Sequence, residues 1–201
     1  SSDVCSSDLL AGSTRGVERL KSLGITVLAL EPRTHADAQR VLRTVADALG
    51  VSRTDSERIW REIDAGVQAA ANTLTPQARA QRVYVEVSPA PYGASESSFI
   101  GETLQRLGVG NILPAALGPF PKVNPEFVVR ADPQVIMASE RTNNAMESRP
   151  GWSRIAAVRE GRICRFTPDQ GDVLVRAGPR LAEGARLMAD CLRGATPRPA
   201  S

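Results

Sequence analysis

Very few residues in this chain could do covalent or metal chemistry. Of the three cysteines, Cys5 sits in an aberrant first segment, leaving Cys164 and Cys191. These two could close one bridge in an oxidising compartment or stand as two buried thiols. Each lies in a core-like segment, which favours thiols. No Cys-x-x-Cys occurs, and His35 is the single histidine, so a transition-metal centre built from His and Cys is not expected. His35 falls at a helix start, where a histidine more often caps the helix or faces water than acts as a base. No carboxylate pair has a spacing that argues for acid–base work. No strand leads into a Gly-x-Gly-x-x-Gly or P-loop, and no Gly-x-Ser-x-Gly elbow appears. The residue inventory favours a binding module, not an enzyme, with neither cofactor nor metal.

Composition agrees. With 42% hydrophobic and 23% charged residues, the chain reads as a globular protein with no run long enough to span a membrane. Its net charge of +3 comes from many arginines and two lysines, Lys21 and Lys122, scattered among acids. No stripe suited to nucleic acid results.

The first nine residues, SSDVCSSDL, are neither signal peptide nor periodic structure. The codons AGT TCA GAC GTG TGC TCT TCC GAT CT spell them and match a widely used short-read sequencing adapter. Residues 1–9 are therefore expected to be translated adapter, with the true gene start and any targeting signal lying upstream.

Elements that could position a site begin after it. Val17, Leu20 and Leu23 have helical spacing before Gly24, and ITVLAL (25–30) reads as a strand buried on both faces. Thr34 caps a helix running to about Leu49, with Ala38, Val41, Leu42, Val45 and Leu49 inward. Thr54 and Glu57 form an expected capping box for a long helix whose stripe is Ile59, Trp60, Ile63, Val67, Ala70, Ala71 and Leu74. A second α/β series follows: strand 83–87, a loop, helix FIGETLQRLG closed by Gly108, and a short helix capped by Asn124 with Pro125 at its first position. Strand QVIMAS, one helix over RPGWSRIAAVREG, strand RICRF and a last helix complete it. That last helix turns Leu181, Ala185, Met188, Cys191 and Leu192 inward. Trp60, Trp152 and Phe99 read as core packing.

The pieces VERLKSLGITVLALEP, RVYVEVSPAPYGASESSFIGETLQRLGVGNI, GPFPKVNPEFVVRADPQVIMAS, RPGWSRIAAVREGRI and RAGPRLAEGARLM resemble, in order, the helical-backbone (class III) periplasmic substrate-binding proteins of ABC importers. They are most similar to the cobalamin-binding branch. The resemblance implies an α/β fold of two lobes joined by one long backbone helix, with the first lobe incomplete. It divides the chain into an adapter-derived segment (1–9), a first-lobe remnant (10–52), an interdomain helix (53–75), a C-terminal α/β lobe (82–194) and a disordered tail (195–201).

The resemblance also implies a periplasmic monomer that captures a corrinoid between its lobes and delivers it to a membrane permease. Haem and ferric siderophores are the alternatives within the same frame, and a nitrogenase-like reductase subunit is a more distant one. Carried over by position, Tyr92, Phe120, Asp172 and Arg176 face the ligand, the last two from a loop, and Glu126 docks on the permease. The first lobe's equivalent carboxylate has no clear counterpart: Thr14 stands in its place, with Glu18 one turn on.

Overall fold

A computed structural model describes residues 16–28, 30–88, 91–140 and 146–194. The expectations for residues 1–9, Thr14 and the tail lie outside the described residues. The chain divides into two compact units, Ser1–Glu31 and Pro32–Ser201.

In the first unit, residues 16–22 are helical and Gly24 closes them with φ +75°. The expected strand at 25–30 does not form over its described residues. Ile25 and Leu28 are about half exposed, as are Leu20 and Leu23. A strand exists only as a partner in a ladder, and no described strand pairs with this run. Among the described residues, nothing pairs with this apolar run or buries it.

The second unit opens with α1 (His35–Ala48). Thr34 caps it, its hydroxyl accepting from the Asp37 N–H while the Asp37 carboxylate returns to the Thr34 N–H. Val45 and Leu49, expected to face inward, are exposed. The long helix α2 (Arg53–Asn72) starts two residues before the expected capping box: Ser52 is the cap, accepting from the Asp55 N–H. Thr54 is inside the helix, and Glu57 instead pairs with Arg53 at 2.9 Å. At 20 residues α2 is about 30 Å long. It buries Ile63, Val67, Ala70, Ala71 and nearby Leu74.

A one-turn helix α3 (Pro76–Arg79) leads into the sheet, followed in order by β1 (Arg82–Ser88), β2 (Tyr92–Gly93), α4 (Phe99–Arg106), β3 (Gly110–Asn111), α5 (Pro125–Ala131), β4 (Val135–Ser139), α6 (Ala156–Arg159), β5 (Ile163–Phe166), α7 (Pro168–Leu174) and α8 (Leu181–Leu192). Strands β1, β4 and β5 are parallel neighbours in that order. Along the free edge of β1, β3 pairs in parallel with its start and β2 antiparallel with its end.

Strand alternation builds two cores. Val83, Val85, Val135, Met137, Cys164 and Phe166 face one side, with α2, α4 and α8 over them. Tyr84, Ile136, Ala138 and Ile163 face the other, under Val128, Trp152 and Ile155. Parallel strands covered on both faces should be apolar throughout, which is why these runs were readable.

Three expectations need correction. The segment 150–161 is not one helix: a 3-10 turn over Trp152–Arg154 is separated from α6 by extended Ile155. The stretch holding Asp172 is not a loop but α7, with a Thr167–Gln170 capping box and Pro168 at its first position. Cys164 and Cys191 are joined by a disulfide, with Cα atoms 5.9 Å apart, so the two-thiol reading fails. Adjacent core positions on β5 and α8 bring the two sulfurs within bonding reach.

Gly101 lets α4 dock. A Cβ there would stand 2.0 Å from the Ser95 carbonyl oxygen and 2.6 Å from the Glu96 Cα. Both are backbone atoms that cannot swing aside. Gly101→Ala is expected to lower unfolding free energy by about 3 kcal/mol, the upper end for overpacking, as read by urea titration.

Candidate ligand-binding edge of the sheet

In open α/β sheets, ligands bind outside the carboxyl ends of the parallel strands. Here those ends are Ser88, Ser139 and Phe166. A shallow depression lies there, lined by Val87, Ile100, Ser139, Phe166, Gly171 and Val175 among others. Its floor comes from the strands and its wall from α7. Gly171 permits that wall: a Cβ would approach the Ser139 Cβ to 2.7 Å. Val175, on the rim, is exposed.

A laced ribbon borders the edge at β2. The Gly93 N–H donates to Pro121 O at 3.1 Å, Val123 to Pro91 O at 2.8 Å, and Ser95 to Pro119 O at 3.0 Å. Tyr92 also bridges to Lys122. These bonds hold the segments bearing Tyr92 and Phe120 side by side. Tyr92 is half-buried, in β2 and not in a free loop. Phe120 is half-buried as well, packed edge-on against Phe99 with centroids 6.0 Å apart. One side of its ring therefore completes the core.

Asp172 and Arg176 stand past β5, on and just after α7. They are paired across one turn at 3.5 Å, with Arg176 exposed. Glu126 is exposed in the first turn of α5, its N–H donating to the Asn124 side chain at 2.9 Å. Of the five expected residues, Tyr92 and Phe120 lie on hydrogen-bonded neighbouring segments, Asp172 and Arg176 pair with each other, and Glu126 stands on α5.

Sequence reasoning missed a polar cluster at the end of β1. The Glu86 carboxylate is fully buried and receives both Arg149 terminal nitrogens, at 2.7 and 2.8 Å. The Tyr84 hydroxyl donates to the same group at 3.2 Å. Arg149 lies 4.6 Å over the Trp152 ring, which meets Tyr84 edge-on. Bonding to Glu86 holds Arg149 even more firmly protonated than usual. Burial, then the neighbouring carboxylate, pushes the Tyr84 hydroxyl well above the normal phenol range. The cluster clamps the segment 146–155 onto the sheet beside the edge. The signal was a charged residue in an otherwise apolar parallel strand, VYVEV, which requires a partner.

Among the described residues no group of three or more His, Cys, Asp or Glu could hold a metal ion, and no helix is long and apolar enough to cross a membrane.

The family described as periplasmic binding protein matches residues 6–170. The chain belongs to the periplasmic binding protein family. This is a solute-binding type. A similar curated relative is the uncharacterized ABC transporter substrate-binding lipoprotein YvrC of Bacillus subtilis (strain 168), 26% identical over 189 residues. The match takes in 91% of this chain and 59% of YvrC, so the chain spans less than two thirds of that relative's length.

Solved structures show the same fold. The periplasmic heme-binding protein RhuT from Roseiflexus sp. RS-1 superposes with TM-score 0.71 at 20% identity, covering 90% of this chain and 72% of that one. The periplasmic vitamin B12 binding protein BtuF of Vibrio cholerae gives 0.64 at 17% identity, covering 92% and 71%. The expected class III α/β fold is thus shown, and these periplasmic binding proteins share it across ligands of different chemistry.

Proposed function

We propose that this chain belongs to the substrate-binding component of an ABC importer, and that it presents the carboxyl edge of its sheet to a bulky flat ligand. A corrinoid is the reading we favour, with a haem or ferric siderophore as the second. The observation that carries the proposal is the built edge itself. Backbone hydrogen bonds lace the segment bearing Tyr92 to the segment bearing Phe120, and a shallow, mostly apolar depression lies at the strand ends. A macrocycle would rest across the opening, stacked on an aromatic face, and a facing surface would cover it. The named ligands of BtuF and RhuT support corrinoid and haem alike. The modest aromatic content of 4% leans away from haem.

On this reading the mechanism is capture and release without bond chemistry. Glu126, exposed on α5, is the docking carboxylate for a permease arginine, Asp172 and Arg176 are polar contacts at the far rim, and the protein works as a monomer. A cross-link between β5 and α8 fits an oxidising, extracytoplasmic compartment, as does the lipoprotein relative.

Calorimetric titration with cyanocobalamin and, separately, haemin tests the proposal. One saturable cyanocobalamin site is expected, weakened about tenfold or more by Tyr92→Ala, a loss of roughly 1.4 kcal/mol. Tight haemin binding without cyanocobalamin uptake reverses the order of the two readings. Binding of neither, nor of a ferric siderophore, overturns the proposal.

A further inference from the structure

The single histidine is neither a cap nor solvent-facing, as its place at a helix start suggested. Thr34 is the cap, and His35 is only 9% exposed. As the first residue of α1, it makes its side-chain contacts with α4. Its backbone N–H donates to the Glu102 carboxylate at 2.6 Å. The ring Nε2 is 3.1 Å from Phe99 O and 2.9 Å from Thr103 Oγ1. A carbonyl oxygen only accepts, and the Thr103 hydroxyl already donates to that same carbonyl at 2.8 Å. Both contacts therefore require the proton on Nε2.

Nδ1 must then be the bare acceptor of a neutral ring. It faces the Arg106 guanidinium at 3.5 Å, which is itself tied to Asp64 of α2 at 2.8 Å. A second ring proton would point an N–H at another N–H, cation against cation.

We propose that the His35 cluster is an acid-released latch fastening the first turn of α1 to α4. The division between the two compact units falls at Glu31–Pro32, so the latch holds the opening turn of the second unit. Neutral His35 locks it; protonation breaks the Nδ1–Arg106 contact and strains the ring's fit. The charged groups facing His35 are Glu102 and Arg106 from α4 and Asp64 from α2. Burial is the largest influence and pushes the ring below its ordinary value of 6.5; Glu102 opposes it, and Arg106 adds to it. A group depressed in the folded state contributes stability that is complete above the unfolded value. That stability drains away as pH falls below 6.5 toward the folded one. The inference does not depend on what the protein binds.

Because the chain has one histidine, its ring signals in an NMR titration are unambiguous. The expected result is a midpoint below the ordinary value, with the neutral ring protonated on Nε2. Between about pH 7 and about pH 5, amide protection in α1, corrected for intrinsic exchange, should fall about tenfold more than in α8. His35→Gln keeps a donor toward Phe99 O and cannot titrate, so it should hold α1 protection constant over that range. A midpoint at or above the ordinary value overturns the latch, as does parallel loss of protection in α1 and α8. If the variant does not fold, the wild-type titration and exchange decide alone.

Discussion

Replacing Arg149 with methionine should lower the unfolding free energy by about 3–5 kcal/mol, the range for stranding one charge of a buried pair. Glu86 has no exposed side-chain surface, while Arg149 keeps 18%. The carboxylate is therefore the member that cannot turn to water when its partner goes. Desolvating two charges cancels much of their attraction, so the pair as a whole contributes far less than either deletion removes. The double variant Glu86→Gln, Arg149→Met removes both charges and leaves Tyr84 an amide oxygen to donate to. It should recover at least half of the loss. Urea titrations of the wild type, both single variants and the double variant measure this. Losses that simply add would show that the two side chains act separately. The structural consequence is local: without the clamp, the segment 146–155 loses its tie to β1.

Breaking the Cys164–Cys191 bridge should cost about 3.5 kcal/mol, the chain-entropy value for a loop of this length. The two residues are 27 apart in sequence, and the loop encloses α7, the wall of the depression. Both cysteines are buried, so a reductant acting on the native protein should be slow. The Cys164→Ala, Cys191→Ala variant is the cleaner measurement. Its urea midpoint should fall well below that of the oxidised wild type, and the reduced wild type should approach it. A non-reducing peptide map should recover the two residues as one linked pair. Identical unfolding curves with and without the bridge would show that it constrains nothing the fold does not already hold.

The core of the second unit was legible because parallel strands and amphipathic helices advertise burial. Val83–Val87, Val135–Ser139 and the α8 stripe appear in the structure where their periodicity placed them. The same rule misled at 25–30, since an apolar run specifies the need for neighbours and not their presence. Helix ends were harder. Ser52 and Thr54 are both competent caps, and only packing chooses the first. Thr167, Pro168 and Gln170 carried a full start signal for α7 that family-based loop assignment obscured.

Elsewhere, side chains meet across long sequence separations. Glu86 and Arg149 are 63 residues apart, and His35 and Thr103 are 68 apart. No local pattern reports such pairs. The resemblance pointed to Tyr92 and Phe120, whose segments are laced together by backbone hydrogen bonds. It could not show that Phe120 spends one side of its ring on Phe99.

The most direct test of ligand capture at the strand ends is a residue-resolved NMR footprint with saturating cyanocobalamin. The predicted result is a set of shifted or protected amides at 86–88, 91–95, 118–123 and 171–176, with α2 and α8 backbones unaffected. Shifts confined to other surfaces, with these four stretches unchanged, would contradict the account.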